Sequence, residues 1–170
     1  NIIFMVQATD AGIKAMETLV FEGCGVEASG VFSGSRLEEA FGAYLRGLER
    51  RLSAGRSVKG FNAVASFRIG ALDALVDSLI EQRIAQTTSK DDKARLKGLL
   101  GRCGIAAARE VYRKYAEAFL SDRFSKYRAK GASPMRIVWE DMSVRDPRYQ
   151  DLKYADALVM EETISRMPLQ

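Results

Sequence analysis

An α/β fold built from successive parallel βα units is what this chain predicts, and three observations carry the prediction. Short apolar segments alternate with longer amphipathic ones along the whole length, the rhythm of strand–helix–strand crossovers. The first strand-like segment is nearly continuous in apolar residues, as expected for a strand buried on both faces. Glycines, or a Gly-Ala-Ser-Pro run, punctuate several of the boundaries.

Taken in order, residues Ile2 to Ala8 form the first predicted strand. Asp10 is placed to cap a helix running to about Glu22, with Ile13, Met16, Leu19 and Val20 on one face. Gly23 and Gly25 bracket its end, and Val26 to Phe32 is the next strand. Ser35 is the expected cap of a second helix, about Arg36 to Ala54, whose Leu37, Phe41, Tyr44, Leu45, Leu48 and Leu52 keep a helical period before Gly55 stops it. Phe61 to Phe67 is a third strand. Ala71 to about Gln86 is a third helix, with Leu72, Leu75, Val76, Leu79 and Ile80 expected inward.

The polar run Thr87 to Lys97 predicts a solvated surface connection. One long helix is expected from about Ile105 to Lys130, with Val111, Tyr115, Phe119 and Phe124 in the core, ended by the breaker Gly131-Ala132-Ser133-Pro134. Met135 to Trp139 is the fourth strand, Asp146-Pro147 opens a short helix to about Val159, and Thr163 to Met167 is a final short strand.

Composition narrows the function classes. The 170 residues, 47% apolar and 28% charged, suit a single soluble domain. The longest apolar candidate, Leu72 to Ile80, is interrupted by Asp73 and Asp77, so no membrane span is expected. Cys24 and Cys103 show no CxxC spacing and are read as two reduced, half-buried thiols. There is no histidine, which removes the commonest general acid/base and transition-metal ligand. No cofactor or metal is expected. The net charge of +4 is mild, and its basic residues are mixed with acidic ones. Even the Tyr/Arg/Lys-rich helix around Arg109 to Lys130 is interleaved with Glu110, Glu117 and Asp122, so it reads as a solvated outer helix rather than a nucleic-acid surface.

Several blocks resemble one family. Asn1 to Thr9 (NIIFMVQAT) is similar to the fourth barrel strand of the transaldolases, roughly N-x-x-x-K-[I/V]-P-A-T, whose lysine forms a Schiff base with the sugar. Ala43 to Leu52 resembles the A-Y-L-x-G-L-E helix of the long bacterial and plant type, Val64 to Phe67 its V-A-S-F, and Gly101 to Tyr112 its G-K-A-A-I-A-x-A-x-x-x-Y helix. Ala129 to Ala132 with Arg136 to Trp139 is similar to A-K-G-A…R-L-L-W, Asp146 to Tyr154 to N-P-x-Y-x-D-x-x-Y, and Met167-Pro168 to the end of T-M-P. The order and spacing of these blocks span almost the whole chain. The resemblance implies a (β/α)₈ TIM barrel of the class I aldolase type, with residues 1–170 as its C-terminal part, roughly strands four to eight. Strands one to three are then expected upstream of Asn1.

The same resemblance implies which positions carried chemistry, since such barrels work at the C-terminal ends of their strands. Met5 stands at the Schiff-base lysine, and a thioether cannot form an imine. Gln7 replaces the nearby proline. Glu27 replaces a substrate-binding asparagine, putting an acceptor-only carboxylate where a donor is needed, while Ser29 keeps the hydroxyl of a threonine. The phosphate-gripping arginine is Ala71, with Gly70 before it for a serine, and Arg68 occupies an aromatic's place three positions earlier. In the family's W-A-S-T-x-x-K turn, Glu140 and Asp141 bring carboxylates and Arg145 replaces the lysine.

Met5, Glu27 and Ser29 are therefore expected to be degenerate catalytic positions, and Arg68, Ala71, Asp141 and Arg145 degenerate phosphate positions. The reading that follows is a non-catalytic transaldolase-like module whose partners are other protein chains of an assembly, with no sugar phosphate bound. A working transaldolase of the pentose phosphate pathway is the alternative. A repurposed barrel using Ser29, Glu27 and Asp141 is the third. Met5 and Ser29 are expected on the inner face, near each other or near Phe67.

Overall fold

The computed structural model describes residues 2–167, so Asn1 of the first motif and Pro168 of the last lie outside the described residues. Its elements are β1 (Ile3–Gln7), α1 (Asp10–Glu22), β2 (Gly25–Val31), α2 (Gly34–Ser53), β3 (Ala63–Arg68), α3 (Ile69–Gln86), α4 (Lys90–Lys97), α5 (Cys103–Tyr115), α6 (Ser125–Arg128), β4 (Arg136–Glu140), α7 (Lys153–Ala157) and β5 (Thr163–Ser165). All five strands are parallel and lie in sequence order, β1 to β5, so every connection is a crossover to the next strand.

The register sorts side chains onto two faces, because partners across a ladder project the same way. Met5 pairs with Glu27, Glu27 with Val64, Ser66 with Val138, Arg68 with Glu140 and Val138 with Ile164. These residues share the inner face. The outer face carries Val26, Ala28, Ala65, Phe67, Ile137 and Trp139, which the helices cover. Phe67 and Trp139 meet edge to face at 6.4 Å, and both are fully buried. Phe67 is thus on the helix side, a correction to its expected place beside Met5 and Ser29. At Gly30, with φ 69°, β2 bulges, so that three steps from Ala28 to Val31 match two from Ala65 to Phe67.

The helix caps differ from those expected. Thr9, not Asp10, caps α1: its hydroxyl accepts from the Gly12 amide at 3.1 Å. Ser33, not Ser35, caps α2 by accepting from the Arg36 amide at 3.2 Å. In both cases the functional cap is the extended residue whose oxygen can turn back to the third following amide, a choice that composition cannot make. The polar run after Thr87 is not all connection. Ser89 caps a short exposed helix, α4, supported by Asp91 and Asp92 in its first turn.

The largest correction concerns α3. It begins at Ile69 and buries Ile69, Gly70, Asp73 and Asp77, while Leu75 and Leu79 are 60% and 54% exposed. Two carboxylates one turn apart face inward because donors meet them there. Asp77 accepts from the Gly101 amide through both oxygens, at 2.8 and 3.0 Å. Asp73 accepts from the Gly104 amide at 2.8 Å, Lys153 at 2.6 Å and the Tyr154 hydroxyl at 2.8 Å. Hydrophobic counting cannot see donors that arrive from distant loops.

The helix expected over 105–130 is interrupted. After α5 come a π-helical turn, Ala116–Leu120, extended backbone at Ser121, a 3₁₀ turn, Asp122–Phe124, and then α6. In a regular α-helix Phe124 would sit about 140° around from Phe119. The break resets the phase, and Tyr115, Phe119, Phe124 and Tyr127 pack in one buried row with ring centroids 5.2–5.6 Å apart. The helix expected from Asp146 reduces to α7, and the last strand to three residues.

Candidate functional site

The inner face and the C-terminal ends of the strands bring the singled-out residues into two groups. The first lies on the inner face. Glu27, 8% exposed in the middle of β2, accepts from Ser66 Oγ at 2.5 Å. Ser66 sits on β3 and is fully buried, so its hydroxyl is committed to Glu27 and is closed to substrate. Arg166, just past β5, reaches Glu27 at 3.5 Å and Glu140 at 3.0 Å, and Arg68 approaches the other oxygen of Glu140 at 3.9 Å. Met5 faces the same side next to Glu27 and is 64% exposed. Ser29 turns its hydroxyl to the carbonyl of Val6 at 3.3 Å, tying β2 to β1 instead of pointing at a ligand.

The second group forms at the start of α3. The Gly70 amide donates to the backbone carbonyl of Asp141 at 2.8 Å, and the Ala71 amide donates to Asp141 Oδ2 at 2.9 Å. Arg145 pairs with the same carboxylate oxygen at 2.8 Å. Asp141 holds φ 56°, a left-handed conformation that aspartate tolerates better than most residues. Gly70 is required here, since a Cβ would stand 2.5 Å from the Asp141 carbonyl oxygen. Ala71, Asp141 and Arg145 are therefore brought together, with the chain's own carboxylate seated on the helix start, where an anion is favoured. Arg68 is not part of this group.

Other candidates for chemistry are closed by their surroundings. None of the five strands contains a lysine. Lys153 is half-buried, but on the helix side, where Asp73 holds it as an ion pair. Burial, then the charges of Asp73 and Asp77, push the Cys103 thiol above its ordinary range, so it stays protonated and weakly nucleophilic. Among the described residues no group of three His, Cys, Asp or Glu side chains could hold a metal ion. Among the described residues no helix is long and apolar enough to cross a membrane.

Sequence reasoning missed Ser66, Arg166 and the Asp73–Lys153–Tyr154 cluster. The signal for the cluster was Asp73 and Asp77, spaced by four in the mainly apolar stretch Leu72 to Ile80. Arg166 carried only its position, where the resembled T-M-P has threonine.

Sequential parallel strands, helices over one face and charged side chains gathered at the strand ends define a segment of a (β/α)₈ barrel. The chain is matched over residues 1–170 by the model of the transaldolase/fructose-6-phosphate aldolase family. It is 33% identical to "Transaldolase 2" of a Nostoc species, across 99% of this chain and 44% of that protein. It is 36% identical to a "Transaldolase" of Neisseria meningitidis serogroup C (99% and 44% covered) and to "Transaldolase 1" of Streptomyces avermitilis (99% and 42%). The chain belongs to the transaldolase/fructose-6-phosphate aldolase family, and it spans less than half the length of these curated relatives.

Proposed function

We propose that this chain is the C-terminal part of a transaldolase-fold barrel that does not itself carry out Schiff-base transfer, and that serves as a structural or interaction element. The single observation carrying this reading is Met5. It occupies the position that the resemblance gives to the imine-forming lysine, and no lysine lies on any of the strands that could replace it. An imine needs a neutral amine close to the carbonyl, and a thioether offers none. The inner-face charges are already spent on one another, and the Asp141 carboxylate stands where a sugar phosphate would need donors.

A second reading is favoured by the comparisons themselves: a transaldolase, moving a three-carbon dihydroxyacetone unit between sugar phosphates. Every relative compared carries that name. The similarity supports this reading better than it supports a non-catalytic module, and what supports the module is the identity of the site residues. Borohydride reduction in the presence of fructose 6-phosphate, read by intact mass, separates the two. No adduct is expected on this chain, and a trapped adduct would establish the transaldolase reading.

The partner we propose is protein. β1 and β5 form the two edges of the sheet, and Ile3, Phe4 and Met5 along β1 are exposed. Further barrel strands or another chain would cover them. Light scattering on residues 1–170 alone should show self-association, and a monodisperse monomer would remove the need for such a partner.

A further inference from the structure

Arg166 joins carboxylates from strands that are not neighbours. Its Nη1 lies 3.0 Å from Glu140 Oε1 on β4, while Nη1 and Nη2 both lie 3.5 Å from Glu27 Oε1 on β2. With Arg68 near the second oxygen of Glu140, charges alternate Glu27–Arg166–Glu140–Arg68 over the inner face.

β3 and β4 separate β2 from β5. In a flat sheet, three steps of about 4.8 Å would hold those strands some ~14 Å apart. The backbone of Arg166 is fixed on the far side, where its amide donates to the Trp139 carbonyl at 2.9 Å. The inner face forms a hollow lined from Ile3 and Glu27 to Val138, Ile164 and Arg166, and across it the guanidinium meets Glu27. Glu27 in turn is a nearly buried carboxylate that Ser66 alone cannot satisfy, and Arg166 brings it a second donor. The resemblance gives neutral residues at both positions, asparagine for Glu27 and threonine for Arg166. The two charges are a matched pair that meets across 139 positions of sequence.

We propose that Arg166 is a latch across the inner face, holding the curvature that brings β5 toward β2 and filling the space before the strand ends with the protein's own guanidinium. This holds whether or not the barrel retains transaldolase chemistry.

The test is a double-mutant cycle on the intact protein, read by thermal unfolding at low and at about 1 M salt. Glu27→Gln and Arg166→Gln should each lower Tm by about 2–4 °C, and the double variant should fall no further than the worse single. Arg166→Lys should recover part of the loss, and high salt should narrow the gap between wild type and double variant. If Glu27→Gln does not fold, the same cycle with Glu140→Gln and Arg166→Gln reads the other arm. Additive losses, an unchanged Tm for Arg166→Gln, or no rescue by lysine would overturn the latch.

Discussion

The Asp141 carboxylate accepts a hydrogen bond from the amide of Ala71 at 2.9 Å, 70 positions earlier in the chain. It thereby caps α3, whose own preceding residue, Arg68, supplies no side-chain cap. Asp141→Ala should lower stability by about 1–2 kcal/mol, because it removes the cap and places alanine in a left-handed conformation. Asp141→Asn, which keeps an acceptor and tolerates that backbone, should lose less. Urea unfolding of the two variants checks the ranking, and equal losses would mean that the carboxamide oxygen cannot serve.

Restoring lysine at Met5 alone should leave sugar turnover at background. The position that the resemblance gives to the phosphate would still hold Asp141 in place of donors, and each missing charge-assisted contact is worth about 1.5–3 kcal/mol. A coupled assay for dihydroxyacetone transfer reads turnover, and calorimetry reads binding. Micromolar affinity of the unmodified protein for fructose 6-phosphate would sink the expectation.

The two faces of the sheet make a direct contrast. Phe67→Ala, in the packed outer core against Trp139, should cost about 3–5 kcal/mol. Met5→Ala, on an exposed edge strand, should change stability by less than about 0.5 kcal/mol. Chemical denaturation of both variants measures the difference, and comparable losses would mean that the Met5 side chain itself, and not only the edge of β1, is packed over.

Acid should loosen the clasp between α3 and α7. Burial alone would raise the Asp73 pKa, but the Gly104 amide, Lys153 and the Tyr154 hydroxyl outweigh it and leave the group below its ordinary value. A depressed folded-state pKa contributes stability above the unfolded value, near 3.9, and that contribution is lost as pH falls through the folded one. Wild type should therefore lose stability below about pH 4 more steeply than Asp73→Asn. The variant should already be weaker at pH 7, since Lys153 then keeps a half-buried charge without its partner. Parallel pH–stability curves would show that Asp73 is not the group responsible.

Sequence patterning alone determined that the chain is a run of βα units, and the motif blocks pointed to the family and the barrel. It also marked Met5, Ala71 and Asp141 as the positions on which the proposed loss of chemistry rests, because an absent amine or guanidinium is visible in the residue name. The inward positions of α2 and the aromatic row from Tyr115 to Phe124 were legible too, since burial there follows apolar periodicity. Tertiary structure decided what depends on partners remote in sequence. It turned the Asp73 and Asp77 side of α3 inward and its leucines outward, because loop amides and Lys153 arrived to satisfy the carboxylates. It put Phe67 on the helix side through the register of β3, and it brought Arg166 to Glu27 across the hollow of the inner face. Periodicity records how apolar each position is; only the fold supplies the donor that lets a charge be buried.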